Sequence, residues 1–321
     1  DQLKSDEYDV VFFHSLPEKR YNLFKYIPEE KIVIWWTWGY DIYESSYGLK
    51  PLLSIELYKD HTKQFVSERK NRILDKIKKI IKTHFLKVKY GILRENILKR
   101  IDYFQPVIPT EYKLILENND FHAKEFYYYN SEVKAEIVDG NVLKKAATGA
   151  ILIGNSASYT NNHLDVWEYI KQLKPKDHKI IFPLNYGDVQ YANYLKTVIK
   201  SEDNELIFLN AFMPRDEYFS LLNECSYAIF GVMRQQAMGN ISYCIRNGIK
   251  VFLFCDSLVY KYLKKEGYSV FCIENMDYES LNTPLAREEI EKNIKLSNLD
   301  VIRRNQIYEK CLLEMSSKIV K

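Results

Sequence analysis

Residues 150–170, AILIGNSASYTNNHLDVWEYI, run from four apolar positions through a lone glycine and a polar loop into a helical pattern. The chain has only 11 glycines in 321 residues, so a glycine at the end of a predicted strand is informative. Gly154 lets the backbone approach a ligand closely, and the next helix offers unpaired N–H groups to an anion at its N-terminus. The stretch predicts a strand, a phosphate-facing loop and a helix. Asn161 or Asn162 is expected to cap that helix. An ordinary strand-to-helix loop with its own cap is the alternative.

This stretch begins a regular alternation of strands and helices. Strands are predicted at 150–153, 179–183, 205–209, 227–231, 250–254 and 269–273. Helices are predicted at 161–173, 189–200, 214–225, 235–247 and 257–266. Such alternation is typical of an α/β fold with a doubly wound parallel sheet.

The N-terminal half follows the same plan less completely. Strands are predicted at 8–14, 31–36 and 125–130, with a helix at 17–26. We interpret the chain as two Rossmann-like domains, 1–145 and 146–299, the first without its opening strands. Helix 300–321 is predicted to pack back on the first domain. Because the chain begins at Asp1 and a strand follows almost at once, we expect further residues to precede it in the native protein.

Composition excludes several classes of protein. At 321 residues and 46% hydrophobic, the chain can bury two cores. Five cysteines without a C-x-x-C pair argue against a disulfide framework or a zinc site and favour a reducing cytoplasm. The sequence contains no apolar run of eighteen residues, no D-x-D and no G-x-G-x-x-G. We therefore expect no membrane span, no metal and no nicotinamide cofactor.

The positive charge is concentrated in one segment. Residues 69–100 contain twelve Lys or Arg against two acids, and their apolar residues recur at helical spacing. A basic amphipathic helix over 69–90 is typical of an element that binds a membrane surface. A solvated helix covering the domain core is an equal alternative. Nucleic-acid binding is not expected, because no binding motif accompanies the charge.

Two further stretches carry candidate chemistry. In FGVMRQQAMGN, 230–240, Gly231 ends a strand and Arg234 is placed to pair with a diphosphate, unless it is simply a surface residue. In IVIWWTWGYDIYESSYG, 32–48, the first two tryptophans are expected in the core. Trp38 then suits a sugar, Asp41 suits a general base, and Glu44 is a weaker candidate.

Four motifs together resemble a known family, the bacterial 4-acetamido-4,6-dideoxy-D-galactose transferases (glycosyltransferase family 56). They are WTWGYDIYE at 36–44, YGLKPLL at 47–53, ILIGNSASYTNNH at 151–163 and RQQAMGN at 234–240. The resemblance implies a GT-B fold, in which two Rossmann-like domains with parallel sheets face a cleft. The missing first strand–helix–strand unit and the basic helix depart from the family pattern. The implied donor-binding residues are Gly154, Asn155, Ser156, Asn161, Asn162, His163, Arg234, Gln235, Gln236, Gly239 and Asn240. Trp38, Gly39 and Asp41 are implied on the cleft side of the first domain, and Glu44 is a further candidate on the acceptor side.

The resemblance also implies an activity. A deoxyamino sugar would pass from a nucleoside diphosphate, dTDP in the family, to a polyprenyl-diphosphate-linked saccharide in cell-surface polysaccharide synthesis. We expect Arg234 to stabilise the departing diphosphate and Asp41 to activate the acceptor hydroxyl, or to position the sugar if the reaction retains configuration. We expect a peripheral enzyme on the inner face of the cell membrane. Alternatives are a nucleotide-sugar epimerase on the same fold and a non-catalytic module that binds lipid or nucleic acid.

Overall fold

A computed structural model describes residues 7–45, 49–70, 76–127 and 149–319. The chain divides into two compact units. The first is drawn from Asp1–Ile55, Arg72–Lys134 and Asp300–Lys321, and the second from Glu56–Asn71 and Ala135–Leu299. The second unit thus includes residues 56–71, which the sequence analysis had placed in the first domain.

The strands in chain order are β1 Val10–His14, β2 Ile32–Trp36, β3 Tyr103–Gln105, β4 Lys124–Glu125, β5 Ala150–Ile153, β6 Lys179–Pro183, β7 Glu205–Leu209, β8 Cys225–Phe230, β9 Lys250–Leu253 and β10 Phe271–Cys272. The α-helices are α1 Tyr40–Tyr43, α2 Asp60–Lys70, α3 Lys76–Arg100, α4 Pro109–Asn118, α5 His163–Leu173, α6 Val189–Val198, α7 Arg215–Asn223, α8 Met238–Arg246, α9 Leu258–Lys265 and α10 Arg287–Ile319.

The second unit is built on a six-stranded parallel sheet in the order β10-β9-β8-β5-β6-β7. Every residue of β5, β8 and β9 is buried, as expected for a parallel sheet with both faces covered. The predicted α/β fold and doubly wound sheet are therefore confirmed. The chain leaves β5 toward β6 on one side and later returns to β8 on the other. From this reversal we expect a ligand crevice at the carboxyl ends of β5 and β8.

The first unit carries a four-stranded parallel sheet in the order β1-β2-β3-β4. Its β3 and α4 were not predicted, and the predicted helix 17–26 is a 3-10 helix over Glu18–Tyr26. The predicted late strand is only two residues long as β4, and its residues 128–130 lie outside the described part of the chain. From Asp300 onward α10 belongs to this unit, where Cys311 and Met315 pack against Ile34 and Tyr103.

The basic segment forms parts of two helices. Residues 69 and 70 end α2, residues 71–75 lie outside the described part, and α3 begins at Lys76. The prediction of one helix over 69–90 therefore matches α3 only from Lys76 onward. Among the described residues, no helix has the length and apolar character needed to cross a bilayer.

One prediction about the cysteines was wrong. The structure joins Cys255 and Cys272 in a disulfide, although the sequence analysis expected none. Cys225, Cys244 and Cys311 are buried and take no part in this disulfide. The pairing was missed because the two residues are 17 positions apart and meet only when β9 and β10 become neighbours.

Candidate functional site

The loops after β5 and β8 leave the sheet side by side. Ile153 at the end of β5 is in register with Ile229 of β8, and the Gly154 N–H donates to the Ile229 carbonyl at 2.9 Å. The two strand-to-helix junctions singled out from the sequence are therefore adjacent. They lie at the edge where an open α/β sheet binds its ligand.

Side chains connect these two junctions directly. The Asn162 amide Nδ2 donates to the Gly231 carbonyl at 2.6 Å, and the Thr160 hydroxyl donates to Gln236 Oε1 at 2.6 Å. A Cβ on Gly231 would lie 2.4 Å from the carbonyl oxygen of Asn161. Gly231 is thus required for close packing of one loop against the other.

Gly154 is required by its own backbone and by the residue beneath it. Its φ is +70°, and a Cβ would lie 2.6 Å from Nε2 of His163. His163 is fully buried, and burial lowers the pKa of its imidazole to about 3, so the ring is neutral. The structure therefore places His163 under the loop, with both ring nitrogens buried and without a hydrogen-bond partner in the described part of the chain. His163 was expected among the donor-binding residues, but its fully buried side chain does not line an open site.

Several of the polar residues in the first loop hold the loop itself. The Asn161 amide donates to the carbonyl and hydroxyl oxygens of Ser156 at 3.0 and 3.1 Å. Asn161 Oδ1 accepts from the Asn155 N–H at 3.3 Å. Asn162 precedes α5 in a left-handed conformation without a side-chain cap, so the predicted cap by Asn161 or Asn162 was wrong. These amides shape the loop and leave less hydrogen-bonding capacity for a ligand.

Other polar groups at the junctions remain available to form hydrogen bonds with a ligand. Among the described residues, Asn155 Oδ1 and Gln235 Nε2 are buried without a hydrogen-bond partner. Buried polar atoms are nearly always paired, so these two atoms at the sheet edge are available to a ligand or a water. Gly239, in the first turn of α8, is exposed, and a Cβ added to it would meet nothing within 4 Å.

The loop that carries Arg234 is longer than predicted. Helix α8 begins at Met238, three residues after the predicted start, because Ala237 adopts a left-handed φ of 58°. Arg234 is 9% exposed, and its guanidinium donates to the Gln235 carbonyl at 2.9 Å. Asn240 donates to the Tyr218 hydroxyl at 2.9 Å and so braces α8 against α7. This unit thus combines a guanidinium with the positive N-terminal end of a nine-residue helix, a suitable pair for an anion.

A segment of the second unit that was not predicted to belong to the site is hydrogen-bonded to the same junction. The Lys59 N–H donates to Asn162 Oδ1 at 2.9 Å. Asp165 accepts from the N–H groups of His61 and Thr62 at 2.8 and 3.0 Å, which caps the first turn of α2. These pairs are about a hundred positions apart, so no local pattern signals them. A surface groove beside α2, lined by His61, Phe65 and Trp167 among others, contains none of the predicted site residues.

In the first unit, the carboxylate of Asp41 is surrounded by hydrogen-bond donors. It is buried, and its carboxylate accepts from Leu16 N, Trp35 Nε1, Thr37 Oγ1 and Trp38 N at 2.7 to 3.0 Å. Four donors occupy the positions from which a carboxylate would take a proton. The geometry gives no support to Asp41 as a general base, because no lone pair is left for an acceptor hydroxyl.

Of the other acceptor-side candidates, Trp38 and Glu44 are exposed, whereas Gly39 is buried. Trp38 is 57% exposed although it lies between buried residues. Gly39 has a φ of 93° at the start of α1, and Glu44, just after that helix, is exposed. An exposed indole next to a tight turn is suited to contact with a sugar ring.

Solved structures similar to this chain share one fold. The trehalose-6-phosphate structure from E. coli bound with UDP-2-fluoro glucose has a TM-score of 0.52 at 10% identity, covering 97% of this chain and 73% of that one. The UDP-forming trehalose-phosphate synthase of Burkholderia xenovorans in complex with glucose-6-phosphate gives 0.52 at 8% identity, covering 93% and 76%. The trehalose 6-phosphate synthase of Burkholderia multivorans gives 0.51 at 6% identity, covering 94% and 74%. At such identities the likeness shows the fold alone, and that fold is GT-B.

A family model places the chain more narrowly. The model described as 4-alpha-L-fucosyltransferase glycosyl transferase group 56 matches residues 112–298, more than half of the chain. The matched range contains both junctions of the second unit. This chain belongs to the glycosyltransferase group 56 family and is a glycosyltransferase that transfers a sugar from a nucleotide-sugar donor.

Proposed function

We propose that the enzyme transfers a deoxyamino sugar, such as 4-acetamido-4,6-dideoxygalactose, from dTDP or a related nucleoside diphosphate to a lipid-linked saccharide. The observation that carries the donor half of this proposal is the bond between Asn162 and Gly231. It unites two glycine-containing junctions at the crevice of the second unit, where Arg234 and the start of α8 are also found.

The chemistry follows from charge. When the sugar leaves, negative charge builds on the diphosphate, and groups aimed at that charge lower the barrier. The Arg234 guanidinium and the N–H groups of the first turn of α8 are the donors for this purpose. The exposed Gly239 lets a phosphate approach that turn, and Asn155 and Gln235 offer amide groups to the sugar. In this proposal the donor needs no metal and no further cofactor.

The acceptor half rests on the first unit and on composition. Trp38 supplies an exposed aromatic face, and Glu44 is the exposed carboxylate of the same segment. The twelve basic residues within 69–100 would attract an anionic membrane surface that carries the lipid-linked acceptor. This places the enzyme, as a proposal, on the inner face of the cell membrane. Co-sedimentation with anionic but not with neutral vesicles tests that part.

The donor site is tested by calorimetry with dTDP, UDP, GDP and ADP. We expect preferential binding of dTDP or UDP, and a dissociation constant about 10- to 100-fold higher for Arg234→Ala, the usual cost of losing a charge-assisted contact. Arg287→Ala is the matched control, since Arg287 is exposed on α10 and pairs with Glu291. Absence of binding by all four nucleotides would contradict the proposed donor site.

Turnover separates the proposed transfer from epimerisation. Labelled dTDP-sugar is incubated with and without a polyprenyl-diphosphate saccharide. Transfer requires the acceptor and releases dTDP, whereas an epimerase converts the nucleotide sugar without any acceptor. Release of dTDP that does not depend on the lipid-linked saccharide would contradict the proposed acceptor.

A further inference from the structure

The disulfide lies at the same edge of the sheet as the donor junctions. Cys272 ends β10 and is in register with Leu253, the last residue of β9, and Cys255 follows two positions later. Cys255 is half-buried, whereas Cys272 is buried. The bond therefore ties the loop after β9 to the neighbouring strand, and one of the two cysteines is partly exposed.

This loop is connected to the Arg234 loop. The Leu258 N–H, at the start of α9, donates to the carbonyl of Met233 at 3.0 Å. Met233 directly precedes Arg234 in the chain. Only two residues separate Cys255 from Leu258. The disulfide therefore lies close in sequence to a hydrogen bond that reaches the residue before Arg234.

A second set of contacts leads to the first junction. Glu274 Oε2 accepts from the Cys255 N–H at 2.9 Å, and Glu274 Oε1 lies 3.5 Å from the Lys59 ammonium. The same ammonium pairs with Asp256 at 3.0 Å. Lys59 also donates its backbone N–H to Asn162, the residue that holds Gly231. Both donor junctions thus have a path of direct contacts to the cysteine pair.

We propose that Cys255 and Cys272 form a reversible redox site that adjusts nucleotide affinity at the adjacent junctions. The inference rests on the proposed donor site. The bond holds the loop in one arrangement, so the oxidised enzyme is the better pre-organised receptor. Immobilising one loop of this kind is worth about a two- to tenfold change in affinity.

The exchange is balanced with a small disulfide such as oxidised glutathione. The Cys255 thiolate attacks one sulfur of glutathione disulfide and releases one glutathione thiolate. The Cys272 thiolate then attacks the Cys255 sulfur of the mixed disulfide and releases the second. The protein loses two electrons and two protons, and two molecules of glutathione carry them away. Reduction by excess thiol reverses the sequence.

The test uses the full chain equilibrated with reduced or oxidised glutathione. We expect five titratable thiols in the unfolded reduced protein and three after oxidation, with a Cys255–Cys272 peptide identified by mass spectrometry. The dissociation constant for dTDP or UDP should be about two- to tenfold lower in the oxidised form. Cys272→Ser should remove the redox dependence of binding, whereas Cys311→Ser, a buried free thiol of the first unit, should keep it.

Three results would overturn the inference: five thiols after oxidation, a bond that resists excess thiol, or equal nucleotide affinity in both states. Zinc that is retained by the reduced pair and blocks oxidation would overturn it as well. A chain that makes and breaks the bond but binds no nucleotide in either state contradicts the proposed function itself. Equal, measurable affinity in both states contradicts only the redox inference.

Discussion

The side-chain amide of Asn162 donates to the backbone carbonyl of Gly231 across 69 positions of sequence. Its other atom, Oδ1, accepts from the Lys59 N–H. One amide thus unites the two donor junctions and the segment that leads into α2. We expect the stability and the nucleotide affinity of this unit to depend on it together.

Asn162→Asp tests that dependence. The shape and the left-handed backbone are preserved, but a carboxylate cannot donate to Gly231 and is left buried beside a carbonyl oxygen. We expect the free energy of unfolding to fall by about 2 to 4 kcal/mol and nucleotide binding to weaken. Urea denaturation and calorimetry measure the two effects. Asn185→Asp, an exposed site with the same charge change, should leave both near wild type. If the two variants are equally stable, the hydrogen bond between Asn162 and Gly231 does not stabilise this unit.

Substitutions at two glycines distinguish the contribution of loop packing from that of ligand binding. Gly231→Ala places a Cβ 2.4 Å from a backbone oxygen, so we expect a loss of about 3 kcal/mol or more in unfolding free energy. Gly239→Ala meets nothing within 4 Å and should be neutral or stabilising by up to about 1 kcal/mol. If a phosphate contacts the first turn of α8, Gly239→Ala will nevertheless raise the dissociation constant of dTDP. Unchanged affinity for that variant would argue against a phosphate at this turn.

Asp41→Asn distinguishes a structural from a catalytic carboxylate. An amide can accept at only one of its two atoms, so buried donors such as Trp35 Nε1 lose their partner at about 1 to 3 kcal/mol each. We expect a clear drop in melting temperature and less than a tenfold loss of kcat in the folded fraction. A general base would show the reverse, unchanged stability and a loss of about 10²- to 10⁴-fold. Glu44→Gln, at an exposed carboxylate of the same segment, is the companion variant and should not alter stability.

Glu111 predicts a pH dependence of stability. It is fully buried in the first unit and accepts from the Tyr43 hydroxyl and the Val107 and Ile108 N–H groups. Burial raises its pKa from 4.5 to about 7. The folded chain then keeps a proton that the unfolded chain releases near pH 4.5, so its contribution to stability falls as the pH rises from 4.5 to 7. The change is about 3 kcal/mol.

Urea denaturation at several pH values between 4.5 and 8, for the wild type and Glu111→Gln, isolates this contribution. Glutamine stays neutral and can keep the same acceptor for the two N–H groups. The difference between the two proteins should therefore shift in favour of the variant as the pH rises. A difference that does not change with pH would mean that the carboxyl ionises normally.

The sheet of the second unit could be predicted closely from sequence. Strands β5, β6 and β7 begin and end where the apolar runs 150–153, 179–183 and 205–209 do. Parallel strands with both faces covered are continuous apolar runs, and this signal is local. The first unit was harder because β3 has three residues and β4 has two, too few for a period to emerge.

The place of the two glycine loops in the sheet could be predicted from sequence, whereas the surroundings of individual side chains could not. Glycines after β5 and β8 indicated which loops meet, because carboxyl ends of neighbouring parallel strands share one edge. The burial of His163 and Asp41 was not expected, since a polar residue looks the same in sequence whether it is buried or open. In the structure His163 is fully buried, and the Asp41 carboxylate accepts hydrogen bonds from four donors.

The sequence by itself determined the α/β class, the strands of the second unit and the two glycine-containing junctions, because apolar period and glycine placement are properties of short segments. Only the tertiary structure decided that Asn162 bonds Gly231, that Lys59 and α2 fasten to the same loop, and that Cys255 meets Cys272. These pairs are 17 to more than 100 positions apart. Their partners are chosen by strand order and helix packing, and no local pattern of residues records that choice.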